Sequence, residues 1–415
     1  MRITAITLGS YGDIMPFMLL GQELIKRGYK YRLASFESLR PKAYEMGLEF
    51  SKISGDMDEL VGVLLGNSDN TKKAGMNGLE YLISKYPGLY DDLDRAVKDS
   101  DVLIYMQFGA IAYHFAQKYG IEVIRSMAFP FENTKCYAAM MDTLTRNSIK
   151  CYFLNVMCEK MMAYAVRHTV NDFRKRLGLK SWNIFKSYKK LRGKRILTLY
   201  QFDEVLVDRD KKWKDNIYLT GNWIKQDKTI KPETEKLLDF IDKHEKVIYV
   251  GFGSMNYAHM DELYSRVIWI ALHEGRSVIL PKYEEKMVNE RFSASKDKIL
   301  LAGFTPYEQF FDRLECVIHH GGNGTVHACL RAGVPQLVMV FGADQAFWGG
   351  QCYYRGLGPK PVFIKKPIDE AEFREKVTDL MVNDNYKKCS QRLSNKVTSD
   401  GLVRAADIIE RRFPL

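Results

Sequence analysis

Nine residues, Val-Ile-His-His-Gly-Gly-Asn-Gly-Thr from Val317 to Thr325, run from an apolar stretch through paired histidines into a glycine-rich turn. Gly321, Gly322 and Gly324 leave backbone N–H groups uncovered by side chains. Where such a turn opens a helix, the partial positive charge of the helix N-terminus adds to those donors, and the combination seats a phosphate. A second apolar run, Gln336 to Phe341, leads into Asp344 and Gln345. An acid beside an amide offers acceptors and a donor, which suits vicinal hydroxyls lying next to the phosphate. Near the chain's start, Gly9-Ser10-Tyr11-Gly12-Asp13 reads as a tight loop in which Asp13 caps a following helix.

Groups this far apart in sequence need a scaffold. Residues 2–8 are alternating and β-branched, predicting a strand. The spacing then predicts a helix from near Pro16 to Gly28, a strand over 31–36, a helix with Pro41 near its start and a strand over 48–53. Strand and helix signals alternate again over 101–106, 110–119 and 122–127. Residues 137–192 read as helices rich in Met, Tyr, Phe and bases. Strands return at 195–199 and 217–220. Lys225 to Pro232 is polar and proline-ended, as interdomain linkers are. A second alternation follows, with strands at 246–249, 277–280, 299–301, 316–319 and 336–341, and a last helix over 402–412. The fold class is therefore α/β, two doubly wound parallel-sheet domains facing a central cleft. The boundaries are 1–224, a linker at 225–233, 234–398, and a terminal helix at 399–415.

The 415 residues suffice for two cores. The seven cysteines stand singly with no CxxC pair, favouring a reducing, cytoplasmic setting over a disulfide framework. The opening apolar run is too short for a signal peptide, and no run approaches the roughly 20 apolar residues of a membrane span. The net charge is +11, but 135–195 holds 15 Lys and Arg against Asp142, Glu159 and Asp172, so that window carries +12 and the remainder −1. Charge so localised argues against nucleic acid as a partner.

Several separated motifs then resemble inverting GT-B glycosyltransferases of the UDP-glycosyltransferase family, closest to sterol glucosyltransferases and bacterial antibiotic glycosyltransferases. They are Gly9-Ser10-Tyr11-Gly12-Asp13-Ile14-Met15-Pro16, Tyr249-Val250-Gly251-Phe252-Gly253-Ser254-Met255, His319 to Thr325, Gly333-Val334-Pro335, and Asp344-Gln345-Ala346-Phe347-Trp348-Gly349. Fainter echoes are Ala128-Phe129-Pro130, the 173–179 stretch and Thr220-Gly221-Asn222-Trp223. Motifs in register along nearly the whole chain are more specific than one glycine loop.

The resemblance implies a nucleotide-sugar donor, with UDP-glucose favoured, and neither a cofactor nor a metal. It makes Asp13 the general base that takes a proton from an acceptor hydroxyl. The donor set it implies is Ser10, Ser254, Thr305, His319, Gly321, Gly322, Asn323, Gly324, Thr325, Asp344 and Gln345. For His319 the alternative is a strand-end histidine bonded to backbone; for His320 that structural reading is preferred, since successive strand residues face opposite ways. Trp348 either walls the sugar or packs the core. His114 and Glu132 are candidate neighbours of Asp13 by the same resemblance.

One position departs from the pattern. His327 stands where many plant members carry a glutamate for the donor ribose, so the choice of UDP or dTDP turns on it. The basic window 135–195, with Met140, Met141, Met157, Met161 and Met162, occupies the variable acceptor region. It suits a hydrophobic, hydroxylated acceptor such as a sterol, polyketide, phenolic or lipid. Its charges also suit peripheral contact with an anionic membrane inner face, or simply a solvated helix pair. Two rival readings use the same fold: a nucleotide-sugar epimerase, and a non-catalytic helper of a partner glycosyltransferase.

Overall fold

A computed structural model of the chain describes residues 1–56, 59, 84–106, 109–139, 144–183, 186–225, 232–253, 255, 257–342, 344–364 and 369–415. Its N-terminal apolar run is strand β1 (Arg2–Ile6), buried from Ile3 onward. The chain continues through β2 (Lys30–Phe36), β3 (Glu49–Ile53), β4 (Val102–Tyr105) and β5 (Glu122–Met127). A small antiparallel hairpin, β6 (Lys190–Leu191) and β7 (Lys194–Arg195), precedes β8 (Leu197–Tyr200) and β9 (Ile217–Leu219). Among the described residues the first sheet is parallel, in the order β3-β2-β1-β4-β5-β8-β9. The hairpin corrects the expectation of helices throughout 137–192. Arg192 and Gly193 both adopt positive φ, +48° and +79°, and turn the chain back where a helix would have continued.

The second sheet comprises β10 (Val247–Gly251), β11 (Ser277–Pro281), β12 (Ile299–Ala302), β13 (Cys316–His319), β14 (Gln336–Val340) and β15 (Val362–Phe363), in the order β12-β11-β10-β13-β14-β15. Each sheet therefore winds outward from its first strand in both directions. The reversal falls between β1 and β4 in one sheet and between β10 and β13 in the other. In open α/β sheets that switch point, at the strands' carboxyl ends, is where ligands bind. The loops that begin at Thr7 and at His320 leave the sheets at those two places.

The first helix, α1, runs Tyr11–Lys26 and starts well before Pro16. Ser10 is its N-cap, and Asp13, the expected cap, is its third residue. Pro16 lacks only the N–H that would have bonded Gly12, so the turn before it survives. Ile14, Phe17, Met18, Gly21 and Leu24 form the buried stripe of α1. The terminal helix Gly401–Arg412 packs on α1, burying Ala405, Ala406 and Ile409 in the N-terminal core beside Trp223. Arg27 ties the two helices, reaching Asp407 at 2.6 Å and Glu410 at 2.9 Å. Among the described residues no helix is long and apolar enough to cross a membrane. Most of the expected linker, 226–231, lies outside the described residues, as do Met140 and Met141.

Candidate functional site

The glycine loop begins where β13 ends. Gly321 sits at φ +85°, and a Cβ there would stand 2.6 Å from Val338 Cγ1, so the turn requires glycine twice over. The helix Asn323–Ala332 follows, with Gly322 as N-cap. Its first intrahelical bond is from Val326 N–H to the Gly322 carbonyl, 3.0 Å. The N–H groups of Gly322, Asn323, Gly324 and Thr325 precede that bond and point out of the helix end toward the cleft. The open donors at this helix end are backbone groups, of the kind that suits a phosphate.

Both histidines have places set by the strand alternation. His319 is fully buried, its Nδ1 accepting from Gly321 N–H at 3.0 Å and its Nε2–H donating to Gln336 Oε1 at 2.9 Å. Burial, with His320 nearby, lowers its pKa to about 3. The ring is neutral and both nitrogens are used inside the protein, so it shapes the loop turn. His320 is rotated away, its ring perpendicular to that of His319. It lies between Gly253 and Gly322, where a Cβ on Gly322 would approach His320 Nε2 to 2.6 Å. Its buried Nδ1 has no partner among the described residues. Of the two, His320 holds the uncommitted nitrogen beside the loop.

Asp344 and Gln345 open the helix Gln345–Tyr354. Asp344 Oδ2 accepts from Trp348 Nε1 at 2.8 Å. Gln345 Oε1 is taken by Phe341 N–H (2.7 Å) and Gly342 N–H (3.2 Å), and its Nε2 lies 3.2 Å from Met255 Sδ. The glutamine's acceptor thus holds its own loop, leaving its amide N–H groups on a weak thioether acceptor. Trp348 is fully buried, edge-on to Phe202 from the first sheet's side. It packs the core between the domains and does not wall a sugar. Burial, and then the charge of Asp13, push the Asp344 carboxyl up to about 7.

Asp13 answers from the other sheet. Its Oδ2 accepts from Ser10 N–H (2.9 Å) and Ser10 Oγ (2.7 Å). Oδ1 accepts no hydrogen bond among the described residues. Desolvation outweighs the two Ser10 bonds and raises its pKa. One oxygen therefore fixes the helix start and the other remains open. Ser10 spends its hydroxyl on Asp13. His114 and Glu132, expected neighbours, are elsewhere. His114 bonds Arg174 (2.9 Å) and Tyr188 (3.2 Å), while Glu132 pairs with Arg125 and Lys189.

The structure adds contacts that no motif announced. Asn323 Nδ2 donates across the domains to the Gln201 carbonyl at 3.0 Å. His327, fully buried, donates from Nδ1 to the Asn323 carbonyl (2.9 Å) and accepts at Nε2 from Asp203 N–H (3.2 Å). It is therefore a buried bridge from the glycine-loop helix to the chain after β8, and not a group facing the cleft. Asp203 Oδ2 in turn accepts from Thr398 N–H at 2.7 Å. Beneath the glycine loop, Tyr307 bonds the hydroxyls of Tyr249 and Thr325. Thr305 is buried, with its hydroxyl 3.4 Å from the Gly303 carbonyl. Ser254 lies outside the described residues. Tyrosines scattered through a sequence carry no spacing that would have revealed the contacts of Tyr307.

Comparison with known proteins bears on the same arrangement. Solved structures superpose over the whole chain. The glycotransferase of kitacinnamycin gives a TM-score of 0.71 at 17% identity, covering 100% of this chain and 99% of that one. CalG4, the calicheamicin glycosyltransferase, gives 0.69 at 16% identity with the same coverage. The fold is GT-B. Residues 278–408 match the family model described as erythromycin biosynthesis protein CIII-like, C-terminal domain. The sterol 3-beta-glucosyltransferase of Glomerella lagenarium is 29% identical over 424 residues, covering 98% of this chain and 28% of that protein. That of Pichia angusta is 26% identical over 426 residues, covering 99% and 32%. The chain spans about a third or less of the length of these curated relatives. Within the GT-B frame, the glycine loop and Asp344 stand on the C-terminal side of the cleft and Asp13 on the N-terminal side. The resemblance to UDP-glycosyltransferases read from the motifs thus holds for both sequence relatives and fold.

Proposed function

We propose that the chain is an inverting glycosyltransferase that moves a hexose from a nucleotide sugar, UDP-glucose, to a hydroxyl of a hydrophobic acceptor. The observation that carries this reading is the meeting of Asp13 and Asp344 across the cleft beside an open helix N-terminus. In this reading Asp13 Oδ1 takes the acceptor's hydroxyl proton as that oxygen attacks the anomeric carbon. The bond from that carbon to the diphosphate oxygen breaks on the opposite face, which inverts the centre. Its electrons leave on the nucleoside diphosphate, whose growing charge meets the N–H groups of residues 322–325. Asp344 Oδ1 and the Gln345 amide hold sugar hydroxyls. The sterol 3-beta-glucosyltransferase relatives support a greasy acceptor.

The test is a screen of UDP- and dTDP-sugars against a mixed acceptor library, read by mass for an added hexose. Asp13→Asn is expected to lower transfer by about 100-fold or more, while calorimetry still registers donor binding. Transfer persisting near the original rate removes Asp13 from the role of base. Nucleotide sugar consumed with no acceptor present favours the epimerase reading.

A further inference from the structure

The helix Ile149–Ala165 is turned the wrong way for a helix of a globular core. Of its seventeen residues only Cys151 is fully buried. Its inward side is held by polar groups. Asn155 donates to the carbonyls of Tyr137 (2.8 Å) and Thr134 (3.2 Å) and accepts from Ala139 N–H (3.2 Å). Glu159 accepts from Asn133 at 3.2 Å and lies 3.6 Å from Lys189. Its apolar side faces out. Ile149, Phe153, Met157 and Met161 recur every fourth position, so they form one stripe. They are 51%, 64%, 44% and 61% exposed, and Tyr164 extends the stripe at 54%. A groove beside it is lined by Ile149, Phe153, Leu154, Val156 and Met157 with Lys150 at its edge. From Ile149 to Met161 the stripe is about 18 Å long. A contiguous apolar surface of this kind marks a site of interaction.

The charge around it decides the partner. Lys150 and Lys160 fall on the same helical face as the stripe, and Arg167 caps its end with its guanidinium 3.6 Å from the Tyr164 ring centroid. Lys175, Arg176 and Lys180 are exposed on the next segment. Against them Glu159 is tied inward, and Asp172 is the one exposed acid among the described residues of 144–183. Long basic side chains flanking unbranched and aromatic apolar groups place charge at a phosphate layer while the stripe enters the acyl boundary. We propose that this face seats the N-terminal domain on an anionic lipid bilayer. The surface is independent of the transferase reading, because partition onto lipid needs no sugar donor.

The test uses the whole chain with vesicles of phosphatidylcholine, alone and with a minority of phosphatidylserine. Sedimentation is expected with the anionic vesicles and is expected to weaken as salt rises. The triple variant Phe153→Ser, Met157→Ser, Met161→Ser is expected to lose roughly tenfold or more of that partition, with an unchanged melting temperature, since all three side chains face out. Phe153→Trp adds a direct reading: its emission shifts to the blue and is quenched by brominated acyl chains. No sedimentation of the wild type, or equal sedimentation of the triple variant, overturns the proposal. So does a dimer by light scattering that the triple variant splits to monomers with no lipid binding in either, which assigns the face to a second copy.

Discussion

Asp13 and Asp344 belong to different sheets, yet the charge of one is felt by the other. Two carboxylates meeting in a partly dry cleft do not ionise together at low cost, and the repulsion falls on whichever ionises second, here Asp344. A carboxyl whose folded pKa rises from 3.8 to about 7 favours the native state when protonated, so its contribution is lost as pH climbs from about 4 through 7. Asp344→Asn keeps the shape and removes the ionisation. The variant's advantage over the wild type is expected to be about 1–2 kcal/mol larger at pH 8 than at pH 5. Denaturant midpoints at the two pH values measure it. An advantage smaller at pH 8 shows that the bond from Trp348 to a charged Asp344 outweighs the repulsion. For the proposed chemistry, a carboxyl near neutrality at rest becomes a firm acceptor once a sugar's hydroxyls replace the missing solvation.

At the scale of elements, the turn from β13 into the helix Asn323–Ala332 is the most constrained piece of the cleft. Gly321→Ala places a methyl against Val338 and forces a positive φ on alanine, which costs about 1–3 kcal/mol and displaces the loop. Calorimetry with the nucleotide sugar is expected to show at least a tenfold loss of affinity, RT ln 10 being about 1.4 kcal/mol. Gly324→Ala, in the first helical turn with open space around it, is the contrasting change and is expected to leave stability equal or higher. Equal affinity in Gly321→Ala and wild type removes the loop from the phosphate seat. This loop was legible in the sequence because glycine spacing is local and the turn it permits is local. The alternation of strands and helices was legible for the same reason. The role of His319 was not: its partner Gln336 is 17 residues away on the neighbouring strand. Nor was the start of α1, where proline's preference for a first turn competed with a Ser10–Asp13 exchange that only three-dimensional geometry displays. His327 and Trp348 sat inside a recognisable motif but turned toward Asp203 and Phe202, whose approach depends on how two domains meet.

For the whole molecule, the buried histidines tie stability to pH from the acid side. His319 and His320 lie beside the glycine loop, His327 joins the following helix to Asp203 of the opposite domain, and His114 sits within the N-terminal domain. Burial lowers all four, His114 and His319 to about 3 and His320 and His327 to about 4. Each is neutral in the folded state and protonates near 6.5 when unfolded, so stability is full above about 6.5 and is lost as pH falls toward the folded values. Asp344 and Glu284, both pushed up to about 7 chiefly by burial, work in the other direction over the same interval. Four protons taken up on unfolding outnumber those released by Asp344, Glu284 and Asp13, so the net uptake makes stability fall between pH 6 and 5. The chain is therefore expected to unfold at lower denaturant at pH 5 than at pH 7. His327→Gln is expected to flatten that slope by about one proton, since an amide at that position can accept from Asp203 N–H without titrating. Because His327 bridges the Asn323 carbonyl and the Asp203 amide, its protonation also acts on the seam: a charged ring can no longer accept from Asp203 N–H. Small-angle scattering at the two pH values separates the seam from the folds. An increase in radius of gyration before circular dichroism changes means that the domains part first; simultaneous change places the loss in the cores, and a pH-independent midpoint sinks the histidine account altogether.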